Sequence, residues 1–129
     1  MLLIKCVTAH IVMRELMEKE MDYKSAHAIM MLFHALKPHV EFYAREEKKL
    51  IERYAVRDDN GQVKFEGNTW TLADPALAED YTREVASLGG VEIEGFETPV
   101  RVTATPDIRP RQLEALAGFI EFDCDGGGE

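Results

Sequence analysis

Four histidines, His10, His27, His34 and His39, are the first residues whose chemistry could be put to work. An imidazole can ligate a metal, carry a proton or switch an interface near neutral pH. Their spacing argues against the metal. His27 and His34 are seven residues apart, roughly 10 Å along a helix and too far to share one ion. His34 and His39 stand five apart across Pro38, which is no better. The spacing predicts helix-surface or interface histidines and no metal. Adjacent or alternating carboxylates occur at Glu46/Glu47, Asp58/Asp59, Glu79/Asp80 and Glu92/Glu94. Acid–base hydrolysis needs one carboxyl sheltered and raised in pKa. These four sets sit in hydrophilic runs, so they read as solvated faces. Asp58-Asp59-Asn60-Gly61 has the start of a calcium loop, but the twelfth position holds Thr69 and not a glutamate, which favours a turn.

Nucleophiles are no better placed. Ser25 and Ser87 lack a GxSxG setting, and Cys6 and Cys124 lack CxxC spacing. No glycine-rich phosphate loop is present, and Gly89-Gly90 reads as a helix stop. The reactive side chains therefore predict a protein that is not an enzyme, with no cofactor.

Charge narrows the choice of partner. The 129 residues carry a formal charge of −9. Residues 1–57 have a net of +2 and residues 58–129 a net of −11. An acidic body repels a phosphate backbone, so direct binding to nucleic acid is not expected, whereas a basic protein surface would be attracted. The longest apolar run, Ala28–Phe33, is far short of the roughly 20 residues of a membrane span. The opening MLLIKCVTAH is too short for a signal peptide. A cytoplasmic protein with reduced thiols is the expectation, and a Cys6–Cys124 bridge is the alternative.

The elements that would position these residues follow from periodicity. Thr8 to Lys19 reads as a helix capped by Thr8, with MLLIKCV before it as a short strand or part of the same helix. Asp22 or Ser25 can cap a long helix running to about Ala55. Its apolar stripe includes Ala26, Ile29, Met30, Phe33, Leu36, Val40, Tyr43, Leu50, Ile51 and Tyr54. Glu41/Arg45 and Lys48/Glu52 are i,i+4 pairs on its flanks. Pro38 should kink it or split it in two. Such a helix must pack on the first helix or on a second copy of the chain. Gln62–Glu66 and Thr69–Leu72 alternate around Gly67-Asn68 as a β-hairpin with Val63, Phe65, Trp70 and Leu72 on one face. Trp70 reads as a core anchor, not a base-stacking platform.

Asp74-Pro75 opens a further helix with Leu77, Tyr81, Val85 and Leu88 as its stripe. Val91–Glu94 and Pro99–Thr103 read as strands, Thr105–Pro110 as a loop, and Gln112–Phe119 as a last short helix. Segregated helices and strands of this kind give an α+β class. One domain spans residues 1–122, with a helical part over 8–56 and a β-rich acidic part over 57–122. The acidic, glycine-rich tail 123–129 is expected to be disordered.

From the long helix onward the chain resembles a known family. Glu46-Glu47-Lys48-Lys49-Leu50-Ile51-Glu52-Arg53-Tyr54 is followed by Asp58-Asp59-Asn60-Gly61-Gln62-Val63, an Asp74-led helix, Val91-Glu92-Ile93 and Leu113-Glu114-Ala115-Leu116. This order is similar to that of small uncharacterised proteins encoded by tailed phages and by prophages of Gram-positive bacteria, over about residues 22–118. The resemblance implies a phage or prophage origin and synthesis in the bacterial cytoplasm. It implies no activity, cofactor or catalytic residue.

Apolar helix surface is then the expected working part. Met13, Met17, Met21, Met30 and Met31 fall in or near the two N-terminal helices, as core filler or as a binding stripe. The expected contact residues are Met30, Phe33, Leu36, Tyr43 and Tyr54. The expected function is non-catalytic protein interaction or assembly, with a protein partner or by self-association, a homodimer included. The alternative is an acidic inhibitor that imitates DNA toward a host nuclease or nucleic-acid-binding protein.

Overall fold

The computed structural model describes residues 1–103 and 108–123. Over those residues the class is α+β, with N-terminal helices followed by a hairpin, a helix and short strands. Helix α1 spans Leu3–Leu16 and α2 spans Tyr23–Tyr54, 32 residues. Strands β1 (Phe65–Glu66) and β2 (Thr69–Trp70) form an antiparallel pair. A 3-10 turn at Pro75–Leu77 leads into α3, Ala78–Gly89. Strand β3 (Val100–Thr103), helix α4 (Pro110–Leu116) and strand β4 (Ile120–Asp123) close the fold.

Helix α2 begins where its sequence says it should. The Asp22 carboxylate accepts from the Ser25 backbone N–H at 3.0 Å. Hydrogen bonding from the Ser25 side chain, and then from its backbone, holds the Asp22 carboxyl below its ordinary pKa. The helix runs through Pro38 unbroken, so no pair of helices meets at Lys37–Pro38. Pro38 is exposed, and the carbonyl it leaves unpaired four residues back is that of His34, also exposed. Water can satisfy that carbonyl, which lowers the cost of the proline.

Helix α1 starts earlier than Thr8. The Thr8 hydroxyl does not cap; it donates to the Ile4 carbonyl at 3.0 Å, inside the helix. The residues before it are shared between strand and helix: Leu2 makes a single β-bridge with Glu92, and Leu3 opens α1. That bridge is all the β-structure formed by Val91–Glu94, where a strand was expected. Gly89 explains how α1 sits so close to α3. A Cβ built there would lie 3.0 Å from the Ile4 Cβ, so a larger residue would push the helices apart.

The hairpin forms around Gly67-Asn68, but its strands are two residues each, shorter than the expected Gln62–Glu66 and Thr69–Leu72. Phe65 faces Trp70, Glu66 faces Thr69, and isolated bridges at Arg57–Val63 and Ala55–Leu72 extend it toward the end of α2. Gly67 takes φ +67°, the left-handed conformation that a tight two-residue turn demands. Trp70 meets Tyr81 of α3 edge to face at 5.0 Å, and Tyr81 meets Tyr54 at 5.7 Å. This aromatic trio clamps α3 to the end of α2.

The C-terminal part departs from the sequence reading. Ile120–Asp123 is a strand that pairs in parallel with β3, Val100 facing Ile120 and Val102 facing Phe122. A parallel pair needs a crossover, and α4 supplies it. The segregated class thus contains one β-α-β step. Asp123 belongs to β4, bonded through its carboxylate to Arg101 at 2.8 Å, so the tail does not begin there. Its remainder, 124–129, lies outside the described residues, as do residues 105–107 of the expected loop.

One core joins these elements. Cys6, Ala9, Val12, Met13 and Leu16 of α1 pack against Ile29 and Leu36 of α2, Val102 of β3, and Leu116, Phe119 and Ile120 at the C-terminal end. Residues buried at positions 3, 6, 9, 10, 12, 13 and 16 of α1 lie along one face of the helix, at the spacing of a core-facing stripe.

Candidate functional site

The core face of α2 is defined by Ser25, Ile29, Leu36 and Tyr43, its four buried residues. At 3.6 residues per turn, this leaves Tyr23, His27, Met30 and His34 in line on the opposite side, with Met31 and Pro38 beside them. Tyr23 is 80% exposed, Met31 56% and Met30 37%. Lys24 and Lys37 flank the line and are also exposed. None of the 18 residues from 23 to 40 is acidic, although 24 of the chain's 129 residues are. An exposed tyrosine and two exposed methionines on an acid-free helix face are unusual surface for an acidic protein.

The five residues expected to make partner contacts separate on this geometry. Met30 lies on the outer face. Leu36 is wholly buried and Tyr43 nearly so, with burial raising the Tyr43 phenol pKa. Both are internal packing against the rest of the fold and cannot serve as surface contacts. Phe33 is half-buried and stacks on His10, ring centroids 4.0 Å apart. Tyr54 is half-buried, and its hydroxyl donates to Glu84 at 2.6 Å. That hydrogen bond is the first cause of its raised pKa. The expected stripe was too wide to be one surface. Its apolar residues divide between a face that meets the rest of the fold and a face that meets solvent, where Tyr23 and Met31 are exposed as well.

The histidines divide in the same way. His27 and His34 are exposed on the outer face. His39 meets Phe96 edge to face at 5.8 Å. His10 is 5% exposed, and its Nε2 is buried without a hydrogen-bond partner. Burial lowers its pKa first, and the positive charges of Arg14, His34 and Lys37 lower it further. Among the described residues no three His, Cys, Asp or Glu side chains come together in a group that could hold a metal ion. Cys6 is buried with a free thiol, its pKa raised by that burial. Asp58 uses its carboxylate to accept from the backbone N–H groups of Asn60 and Gln62, which makes the acidic Asn-Gly segment a turn. Several acids of the second half are paired: Glu84 with Arg53, Asp80 with Arg83, Asp123 with Arg101.

A second feature lies at the far end of α2. Ala44 and Ile51 of the helix, with Val63 and Phe65 of the hairpin, line a groove of about 460 Å³. Glu47, Lys48, Glu52 and Arg57 also line it. The Arg57 guanidinium donates to the carbonyls of Gly61 and Glu52 and pins the turn against the helix. Phe65 is 56% exposed, so part of the groove's apolar lining faces solvent. No described helix is long and apolar enough to cross a membrane. Compared with models of protein families, with curated proteins and with solved structures, the chain matches none.

Proposed function

We propose that this chain is a non-catalytic protein-interaction or assembly module whose working surface is the outer face of the first half of α2. One observation carries the reading: Tyr23, Met30 and Met31 are exposed together on a helix face that has no carboxylate from residue 23 to residue 40. Residues at i, i+4 and i+7 on a helix are the anchors by which a helix lies in a partner's groove. Methionine suits such a surface because its unbranched thioether adapts to irregular pockets. The resemblance to small phage and prophage proteins suggests a bacterial cytoplasmic setting.

A photocrosslinking amino acid placed at position 31 tests it in the cells that express the protein. Covalent protein adducts should form there in clear excess over adducts from the same probe at Thr82, which is exposed on α3. Equal yields from the two positions would refute the proposal.

A further inference from the structure

A cleft of about 240 Å³ opens where the end of α3 meets the start of α1. Leu2 and Ile4, Tyr43 of α2, and Val85, Ala86, Gly89 and Gly90 of the α3 end line it. The two glycines add no side chain to the space. Tyr43 is the one lining residue with a polar side chain. It is only 8% exposed, and its hydroxyl has no hydrogen-bond partner among the described residues. A buried tyrosine hydroxyl ordinarily finds one. Here the unmet group belongs to an otherwise apolar wall. We propose that this cleft binds a small uncharged ring compound whose carbonyl or ether oxygen accepts a hydrogen bond from the Tyr43 hydroxyl.

Size and charge narrow the ligand. An apolar cavity of roughly 150 Å³ already holds benzene, so this cleft has room for a single ring with a small substituent. Its lining has no cation to meet a carboxylate or phosphate, and no carboxylate to meet an amine. A charged ligand would therefore lose its hydration without a counter-charge. Burial, and then the negative charge of Glu47, raise the pKa of the Tyr43 phenol, so it stays protonated and can donate. Burial closes Tyr43 to a protein partner, but a molecule small enough to enter the cleft still reaches it. The site is separate from the outer face of α2 and goes beyond the interaction reading above.

Cyclohexanone, titrated into the full chain and followed by NMR at the Gly89 and Gly90 amides, tests this. Cyclohexanecarboxylate and cyclohexylamine carry the same ring with a negative or a positive charge. The ketone should shift both amides saturably, and the charged rings should bind at least about tenfold more weakly. Tyr43→Phe keeps the aromatic ring and removes only a hydroxyl without a partner, so the melting temperature should hold. Its affinity for the ketone should fall by about two- to tenfold, the worth of one hydrogen bond. Ala86→Leu, at an exposed position of α3, should fill the cleft and abolish the shifts. Ketone shifts that stay linear to the limit of solubility overturn the proposal. So does a Tyr43→Phe variant that binds as well as wild type, a carboxylate that competes on equal terms, or shifts that persist in Ala86→Leu. Position 31 lies outside the cleft, so crosslinks there decide the interaction reading whatever the ketone does.

Discussion

His10 offers the sharpest test of the packing. It is buried between α1 and α2 with its ring against Phe33, interplanar angle 14°, and with Nε2 unpaired. The charged groups acting on it are Arg14 of α1 and His34 and Lys37 of α2, all positive when ionised. Among the described residues no carboxylate offsets them. Replacing His10 with leucine removes the unpaired nitrogen, whose burial costs about 1–3 kcal/mol. It also removes the ring stack, worth about 0.5–1.5 kcal/mol. Near pH 8 the variant should therefore range from about 0.5 kcal/mol less stable than wild type to about 2.5 kcal/mol more stable.

Lowering the pH should separate the two proteins further. The folded pKa of His10 lies below its ordinary value near 6.5, so the unfolded chain takes up the proton first. The wild type keeps its full stability above that value and loses it as the pH falls from there toward the folded pKa. The loss for one proton is at most about 1.4 kcal/mol per pH unit. The His10→Leu variant lacks this proton, so the difference between the two cancels the carboxylates that titrate in both. Urea unfolding of both proteins at several values between about pH 8 and pH 5 measures it. The advantage of the variant should widen steadily below about pH 6.5. A flat difference, or one that shrinks on acidification, would refute the argument that His10 is neutral and hemmed in by cations.

Two further outcomes follow from burial. Leu36→Ala should destabilise the protein by about 2–5 kcal/mol in urea, whereas Met31→Ala on the other side of the same helix should change stability by less than about 0.5 kcal/mol. Comparable losses at both positions would contradict the assignment of inner and outer faces. Cys6, buried with its pKa raised, should react with a thiol reagent orders of magnitude more slowly in the native protein than in denaturant.

Local chemistry made much of this fold legible. Asp22 as a cap, Gly67 in a turn and Asp74-Pro75 as a helix start each act through their own few residues, and each element begins or turns where the sequence places it. What depends on distant partners was harder to see. Ile120-Glu121-Phe122 is too short to announce a strand, and its pairing with Val100–Thr103 requires knowing that α4 carries the chain across. Val91–Glu94 alternates well but finds one bridging partner in Leu2. Which of the expected contact residues are buried was hard to see for the same reason. Periodicity alone ranks Leu36 and Met30 alike, and only the position of α1 decides that one is core and the other faces solvent.

Ser25 ties together segments that the chain order keeps far apart. Its amide serves the Asp22 cap, and its hydroxyl accepts from the Thr103 backbone N–H at 2.9 Å, 78 residues away. The residue is only 4% exposed, so water is a poor substitute for either bond. The first turn of α2, where Tyr23 stands, is thus fastened to the last residue of β3. A disturbance of the β3–β4 pair would be transmitted to the tip of the long helix through one hydroxyl group.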